Sequence, residues 1–325
     1  MIYEPLVVHA PDGAELGVRV YPPNAASVVI AEPLGTVIIH GATAVPQTYY
    51  AKFASYLAGR GLRVVTYDYR GIGASRPNSL RKFDATMSDW ATDARAVWTW
   101  ATKLYGPLAF IGHSFGGQLI GLADELASAR GALLVGAQFG YYGHWSLPSR
   151  VKLGIMWRAL VPAATSVWGY LPGELGLTHD LPAGVALEWA KWCRHPDYLM
   201  GHEPAARARL ARFDVPTLFY SFADDDFAPR GAVRSLLASL TRAPLEHRRL
   251  RPSDLGAHAV GHFGFFREAF ESTLWNDAAT YLTSVFDDAT RPRFAPHRED
   301  EALFDFLYHR DERAPLYYAE GSGSP

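Results

Sequence analysis

The chain has 325 residues, of which 49% are hydrophobic, and its 31 lysine and arginine residues nearly balance 33 acidic residues, for a net charge of −2. A chain of this length and composition can bury a large core, and the charge balance argues against a nucleic-acid partner and against an acidic solvating tail. The single cysteine, Cys193, excludes an internal disulfide and is typical of a reducing compartment.

The first part of the chain predicts strands that alternate with helices. Strands are expected at residues 6–10, 15–21, 35–40 and 62–67. The first two alternate polar and apolar side chains around a Pro-Asp-Gly turn, which indicates an antiparallel hairpin, whereas the last two are near-continuous apolar runs typical of buried strands. Helical spacing covers residues 45–60, and Ser88 is a candidate N-cap of a helix that ends at Tyr105.

A serine follows the next predicted strand directly. The strand covers residues 108–111, the sequence Gly-His-Ser-Phe-Gly covers residues 112–116, and a helix is predicted over residues 118–129. A serine in this setting lies on a strained turn, which needs flanking glycines and exposes the hydroxyl at the carboxyl edge of a sheet. The motif alone is common by chance, but with a strand before it and a helix after it the pattern predicts Ser114 as the nucleophile.

The alternation of strands and helices stops after a strand predicted at residues 132–137. The following stretch, residues 138–212, contains five of the nine tryptophans mixed with proline and glycine, which indicates a helical insertion. Strands and helices then resume at residues 215–222, 231–240, 245–251 and 266–286. The order predicts an α/β fold, with a mostly parallel sheet covered by helices on both faces and an inserted helical cap. The predicted boundaries are 1–137 and 213–289 for the core, 138–212 for the cap and 290–325 for a C-terminal extension.

A serine hydroxyl needs a base within hydrogen-bonding reach and a third group that orients the base. In an α/β sheet these groups are expected on loops after later strands. The loop after the strand at 215–222 contains three consecutive aspartates before Pro229. A charged turn that caps the next helix would have the same composition. Asp225 is the predicted acid because it precedes the proline by four residues, and Asp224 is the alternative.

His262 is the predicted base among the twelve histidines. A histidine in an aromatic loop is more often a packed, hydrogen-bonded side chain, but the chain order Ser114, Asp225, His262 is the one that this architecture requires. His247 falls inside a predicted strand. His258 is four residues before His262 but is not followed by the glutamate of a zinc-binding helix, so a metal site is not predicted there.

The negative oxygen of an acyl-transfer intermediate needs two backbone N–H donors. One is expected from Phe115, the residue after the nucleophile, and the other from the loop after the strand at 35–40. Gly41 permits close backbone approach in that loop, and Ala42 is the predicted donor. His40 and His113 are interpreted as structural neighbours of this site and not as catalytic residues.

Four ordered motifs together resemble the α/β-hydrolase superfamily. They are Val-Ile-Ile-His-Gly at 37–41, Asp-Tyr-Arg-Gly-Ile-Gly-Ala-Ser at 68–75, Gly-His-Ser-Phe-Gly-Gly at 112–117 and Gly-His-Phe at 261–263. The resemblance covers roughly residues 6–286. Three further segments resemble a bacterial branch of predicted hydrolases that is similar to serine aminopeptidase-like and lysophospholipase-like hydrolases, at residues 44–50, 184–189 and 261–267.

The resemblance implies the same nucleophile and base, Ser114 and His262, and places the acid at Asp224 or Asp225. The glycine that is common before the acid loop is replaced here by Ser-Phe-Ala at residues 221–223, so the acid is the position that departs from the pattern. Residues after about 290 match nothing in the family pattern.

Together these residues predict a serine hydrolase that cleaves a carboxylic ester or related acyl substrate through an acyl-enzyme, with no cofactor and no metal. A serine nucleophile, in place of an aspartate, argues against the dehalogenase and epoxide hydrolase chemistries of the same fold. Two alternatives stay open. One is an acyltransferase with the same triad, in which an alcohol or amine replaces water. The other is a catalytically inactive binding protein that retains the fold.

The aromatic residues of the predicted cap suggest a substrate class. An insertion after the strand at 132–137 would lie above the nucleophile at the carboxyl edge of the sheet. Most of its aromatic side chains are expected to attach the cap to the core, but some should line the pocket. The predicted substrate contacts are Tyr141, Trp145, Trp157 and Trp168. The expected partner is therefore a small, lipophilic acyl compound.

The sequence lacks signals for export and for membrane insertion. Residues 1–5 contain no basic region followed by an apolar core, so no signal peptide is expected. No run approaches 18 apolar residues, so no membrane span is expected. These features, with the single cysteine, predict a cytoplasmic protein.

Overall fold

The structure is a computed structural model that describes residues 1–25, 28–29, 32–176 and 179–295. The strands in these residues are β1 (Glu4–His9), β2 (Glu15–Tyr21), β3 (Asn24–Ala25), β4 (Val28–Val29), β5 (Gly35–His40), β6 (Leu62–Tyr67), β7 (Leu108–His113), β8 (Ala132–Val135), β9 (Tyr170–Leu171), β10 (Leu181–Pro182), β11 (Thr217–Phe222) and β12 (Leu245–Leu250). The α-helices are α1 (Ala51–Gly59), α2 (Met87–Tyr105), α3 (Phe115–Gln118), α4 (Leu147–Ile155), α5 (Val161–Trp168), α6 (Ala183–Cys193), α7 (Ala206–Arg212), α8 (Arg230–Leu237) and α9 (Asn276–Ser284). The predicted C-terminal extension lies outside the described residues from residue 296 onward.

Eight of these strands form one sheet in the order β1-β2-β6-β5-β7-β8-β11-β12. The six strands from β6 to β12 in that order are parallel, and the predicted hairpin β1-β2 joins antiparallel at the β6 edge. Apolar side chains pack on both faces of the sheet, with α2 on one face and α1 and α9 on the other. This arrangement confirms the predicted α/β fold, and it explains why the interior parallel strands β5, β7, β8 and β11 are mostly apolar and buried on both faces. The edge strand β12, Leu-Glu-His-Arg-Arg-Leu, is only partly buried.

The helix predicted after the nucleophile is much shorter than expected. Helix α3 has four residues, and the chain continues in 3₁₀ turns at Leu119–Gly121 and Asp124–Ser128 in place of a helix to residue 129. Glycines at 116, 117 and 121 weaken the helix. A Cβ at Gly121 would lie 3.2 Å from Leu199 Cδ1, so close packing against this later segment determines the path of the chain.

Two other helix ends differ from their predictions. Helix α2 is capped by Thr86 and not by Ser88, because Thr86 and Asp89 bond reciprocally to each other's backbone N–H groups. The Ser88 hydroxyl instead donates to carboxylates of Glu188 and Glu203. The last predicted helix, residues 266–286, begins as α-helix only at Asn276, after short 3₁₀ and π turns that pack aromatic side chains against α1.

The segment between β8 and β11 is mostly helical in its described residues. It contains α4 to α7 and the short hairpin β9-β10. A π-helical turn at Met156–Leu160 joins α4 and α5 into one continuous helix over residues 147–168. No helix in the described part of the chain is long and apolar enough to span a membrane.

Candidate active site

The backbone of Ser114 is strained. Its φ is 52° and its ψ is −112°, a conformation that residues with a side chain rarely adopt, at the point where β7 meets α3. Two neighbours have to be glycine, because a Cβ at Gly116 would lie 2.1 Å from the His40 carbonyl oxygen and a Cβ at Gly112 would lie 2.7 Å from the Gly117 nitrogen. The turn thus places Ser114 directly after the carboxyl end of β7.

His262 and Asp225 form a buried hydrogen-bonded pair. The Nδ1 atom of His262 is 2.8 Å from Oδ2 of Asp225, and both side chains are almost completely buried. The other carboxylate oxygen, Oδ1, accepts from the backbone N–H groups of Phe227 and Ala228, at 2.9 Å each. These bonds orient the carboxylate, so the imidazole donates its Nδ1 proton to Asp225 and leaves Nε2 unprotonated when the ring is neutral.

The end of β8 brings this pair next to the serine. The N–H of Ser114 donates to the carbonyl of Val135 at 3.0 Å. The next residue, Gly136, has a φ of +57°, and a Cβ there would lie 3.2 Å from His262 Nδ1 and 3.3 Å from Asp225 Oδ2. The structure therefore brings Ser114, Asp225 and His262 together around one glycine, although they come from three different loops.

The alternatives for acid and base occupy other positions. Asp224 does not contact the imidazole, and its Oδ2 accepts from the backbone N–H groups of Val260 (2.8 Å) and Gly261 (3.1 Å). Asp224 thereby holds the loop that carries the base. His258 is exposed on the same loop, and His247 bonds to the Ser221 hydroxyl within the sheet.

The base loop is fixed by two further side chains. His113 Nε2 donates to the backbone carbonyl of His262 at 3.0 Å, and the Tyr49 hydroxyl donates to the carbonyl of Phe263 at 2.5 Å. With Asp224 these contacts bind four consecutive residues, 260–263, to three different elements. Sequence reasoning assigned no role to Tyr49, because no sequence pattern links it to a loop more than 200 residues away.

A chain of hydrogen bonds connects the loop after β5 to the base loop. The N–H of Ala42 donates to the Tyr50 hydroxyl at 2.9 Å, and that hydroxyl is 2.9 Å from Nδ1 of His113. Since His113 Nε2 is the donor to a carbonyl, Nδ1 of the neutral ring carries no proton and accepts from Tyr50. Burial lowers the pKa of His113 well below its ordinary value, and the nearby His262 lowers it further, so the ring is held neutral.

This series of hydrogen bonds changes the expectation for the oxyanion donors. Phe115 is the first residue of α3, so its N–H has no acceptor within the helix. A donor to a reacting oxygen has to be available in this way. The N–H of Ala42, the other predicted donor, is already bonded to Tyr50. Ala42 is therefore not a free donor in this conformation, and Tyr50 is the partner that sequence reasoning missed.

The four aromatic residues predicted to contact substrate have different environments. Trp145 Nε1 donates to the carbonyl of Asp226 at 2.9 Å, next to the acid. Tyr141 packs within its own loop, against the rings of Tyr142 and His144. Trp157 is buried, with its ring centroid 4.9 Å from that of Trp189, and Trp168 is exposed. Of these four, Trp145 is the one with a described contact to the loop that carries Asp225.

The Asp-Tyr-Arg motif at residues 68–70 lies beside the site and has a structural role. The Arg70 side chain donates to Asp93 at 2.6 and 2.8 Å and also pairs with Asp12, and its backbone N–H donates to Asp93. Asp68 accepts from the backbone and side chain of Gln47. These buried bonds fasten the loop after β6. Among the described residues, no group of three or more His, Cys, Asp or Glu side chains could hold a metal ion.

Comparisons with known proteins identify the family and the fold. The sequence profile of the alpha/beta hydrolase family matches residues 36–273. A comparison with curated proteins finds none that matches.

Solved structures with the same fold include two esterases. An esterase domain from Rhodothermus marinus is 15% identical with a TM-score of 0.55, covering 87% of this chain and 100% of that one. An esterase from Exiguobacterium antarcticum is 15% identical with a TM-score of 0.56, covering 86% and 100%. A puromycin hydrolase is 19% identical with a TM-score of 0.55, covering 91% of this chain and 42% of that one. Identities this low show a shared fold.

Proposed function

The chain belongs to the alpha/beta hydrolase family, and on that premise we propose that it is a serine hydrolase that cleaves a carboxylic ester or a related acyl substrate through an acyl-enzyme. The observation that carries the proposal is the strained Ser114 beside the bonded pair of His262 and Asp225. A fold alone does not imply an activity, but a nucleophile, a base and an orienting acid at one sheet edge have defined chemical roles.

In the first step the Ser114 oxygen attacks the acyl carbon while His262 Nε2 takes the hydroxyl proton. Asp225 stabilises the imidazolium that forms, because its carboxylate already accepts the Nδ1 proton at 2.8 Å. The imidazolium then gives its proton to the leaving alcohol. The products of this half of the reaction are an alcohol and an ester of Ser114.

The negative oxygen of the tetrahedral intermediate is stabilised by the N–H groups of Phe115 and Ala42. Phe115 supplies the N–H at the start of α3, where it has no acceptor within the helix. The Ala42 N–H serves as second donor by sharing its proton between Tyr50 and the substrate oxygen or by leaving Tyr50. Tyr50 thus positions the Ala42 amide before substrate arrives.

In the second step a water molecule replaces the alcohol. His262, again neutral, takes a proton from the water as it attacks the acyl carbon, and the ester bond to Ser114 breaks with return of the proton to the serine oxygen. The substrate expected from the aromatic residues of the predicted cap is a lipophilic acyl compound. We expect Trp145 to contact it, because the Trp145 ring bonds to the carbonyl of Asp226, next to the acid.

The test is covalent labelling with a fluorophosphonate probe together with hydrolysis of nitrophenyl esters. Wild-type protein should be labelled, and Ser114→Ala should lose both the label and ~10³–10⁶-fold in turnover. Ser253→Ala, at an exposed serine, is the matched control and should keep both. Label that persists on Ser114→Ala would refute the assignment.

The base is tested by a second pair of variants. His262→Ala should be nearly inactive, because Ser114 then has no acceptor for its proton. His258→Ala, four residues away on the same loop but exposed, should retain most of the activity. The reverse result would assign the base to His258.

A further inference from the structure

The continuous helix over residues 147–168, here called the cap helix, exposes an apolar surface. Every fourth residue along it is apolar and exposed: Leu147, Val151, Ile155, Ala159, Ala163 and Val167. Leu147 is 73% exposed and Val167 is 65% exposed, and Leu160 and Trp168 add further exposed apolar area. A soluble monomer seldom presents a contiguous apolar surface of this length, so the helix is a candidate for contact with another apolar phase.

The charges on the cap helix are all of one sign. Its charged residues are Arg150, Lys152 and Arg158, all exposed, and the sequence contains no acidic residue between Glu125 and Glu174. The two arginines are held by neutral groups, since Arg150 donates to a backbone carbonyl and Arg158 to the Tyr142 hydroxyl. The apolar surface therefore has a cationic rim, although the whole chain has a net charge of −2.

A shallow depression on the cap helix combines both properties. Its volume is about 470 Å³, and its lining includes Val151, Gly154 and Ile155 together with the side chains of Arg150 and Arg158. An apolar groove next to two cations matches a molecule that joins an acyl chain to an anionic headgroup. A second copy of the chain fits less well, because a symmetric contact would bring three more cations to the same surface.

We propose that the cap helix binds an anionic lipid surface, with its apolar side chains inserted among acyl chains and its three cations against lipid phosphates. This is the behaviour of interfacial amphipathic helices, which lie in the plane of the membrane and do not span it. The proposal does not depend on the chemistry of Ser114, and it goes beyond the proposed function.

The experiment uses the full chain carrying Ser114→Ala, so that no vesicle lipid can be hydrolysed, and measures flotation with lipid vesicles. The protein should bind vesicles that contain about one-third phosphatidylglycerol in phosphatidylcholine. It should bind pure phosphatidylcholine at least tenfold more weakly, because each cation near an anionic surface contributes about fivefold in affinity. High salt should weaken binding to the anionic vesicles.

Variants of exposed residues locate the surface. Ile155→Asp should weaken binding about tenfold or more, since it removes an inserted apolar side chain and adds a negative charge. Lys152→Gln should weaken it about fivefold. Leu104→Asp is the matched control, because Leu104 is equally exposed but lies on α2, away from the cap helix. Its binding should be unchanged, and circular dichroism checks that each variant is folded.

Three results would overturn the proposal. The first is equal binding to both kinds of vesicle, and the second is no loss of binding in Ile155→Asp. The third is a dimer of the wild type in sedimentation velocity that Ile155→Asp dissociates, which would make the surface an interface between copies of the chain. Failure of fluorophosphonate labelling in the wild type would refute the proposed function and leave this proposal unaffected.

Discussion

The loops around Ser114 and the cap helix differ in which side chains they bury and which they expose. Around Ser114, both Asp225 and His113 are buried and fully bonded: both oxygens of Asp225 accept hydrogen bonds, and both ring nitrogens of His113 have partners. On the cap helix, apolar side chains such as Ile155 face solvent, and the nearby cations have no acidic partner among the described residues.

The difference shows where each region obtains its geometry. Buried hydrogen bonds hold the Ser114 loops in one arrangement, because breaking any of them would leave an unpaired polar group in the core. Nothing comparable holds the exposed surface of the cap helix, whose apolar area becomes favourable only when something covers it. Perturbations of the two regions should therefore differ in kind, with large losses of rate in the first and changes of selectivity or binding in the second.

After Ser114 and His262, the largest effect is expected from the acid. Asp225→Asn should lower kcat/KM about 10⁴-fold, because the amide oxygen stays with the N–H groups of Phe227 and Ala228 and the amide NH2 then faces Nδ1. An NH2 donor at this position holds the imidazole in the wrong tautomer. Asp224→Asn keeps an oxygen that can accept from Val260 and Gly261, so its loss should stay near tenfold. Ester hydrolysis by the two variants side by side measures the difference. A larger loss in Asp224→Asn would assign the acid to that residue.

The buried histidines predict how stability depends on pH. Burial lowers the pKa of His40 from 6.5 to about 3. Below pH 6.5 the unfolded chain therefore binds a proton that the folded protein does not, and stability falls as the pH falls towards 3.

From pH 7 to pH 5 the contribution of His40 to this loss is about 2 kcal/mol. Urea unfolding at both pH values, compared with His40→Gln, measures it. Between pH 7 and pH 5 the free energy of unfolding of His40→Gln should decrease less than that of the wild type, by about this amount. The decrease that remains includes the contribution of His113, which titrates in both proteins. An unchanged pH dependence would show that His40 is protonated in the folded state.

A smaller effect is expected from the hydrogen-bond chain. Tyr50→Phe removes the acceptor of the Ala42 N–H and the donor to His113, and should lower kcat about tenfold with little change in KM. Tyr56→Phe, on helix α1, which begins directly after Tyr50, is the control and should leave kcat unchanged. Unfolding in urea separates a loss of stability from a loss of rate. Equal kcat in the two variants would show that these hydrogen bonds have no part in positioning the site.

The smallest effect is expected for each methylene added to the acyl group of the substrate, and it tests the substrate pocket. If the predicted cap supplies an apolar wall, each added methylene should contribute up to ~0.8 kcal/mol, or about fourfold in kcat/KM, from acetyl esters upward until the pocket is full. The Ile155→Asp variant should show the same dependence of kcat/KM on acyl chain length as the wild type, because the Ile155 side chain faces solvent. A flat or falling series from acetate to hexanoate would indicate a small or polar natural substrate.

Local signals in the sequence were sufficient for the fold class and for the residues brought together at the sheet edge. Continuous apolar runs identified the interior parallel strands, because both of their faces are buried. Glycines on both sides of Ser114 identified the strained turn, because only glycine fits there. Chain order then selected His262 over His258, and the spacing of four residues before Pro229 selected Asp225 over Asp224. In the structure His262 and Asp225 are bonded to each other.

Other features depended on contacts between distant parts of the chain. The short helix after Ser114 reflects packing against Leu199, and the bond that occupies the Ala42 N–H depends on the side chain of Tyr50. His113 contacts His262, 149 residues later. Helical periodicity also cannot say which side of the cap helix faces solvent, since a buried and an exposed apolar stripe have the same spacing. Tertiary packing decided these features, because each is a property of two surfaces that meet only in the folded protein.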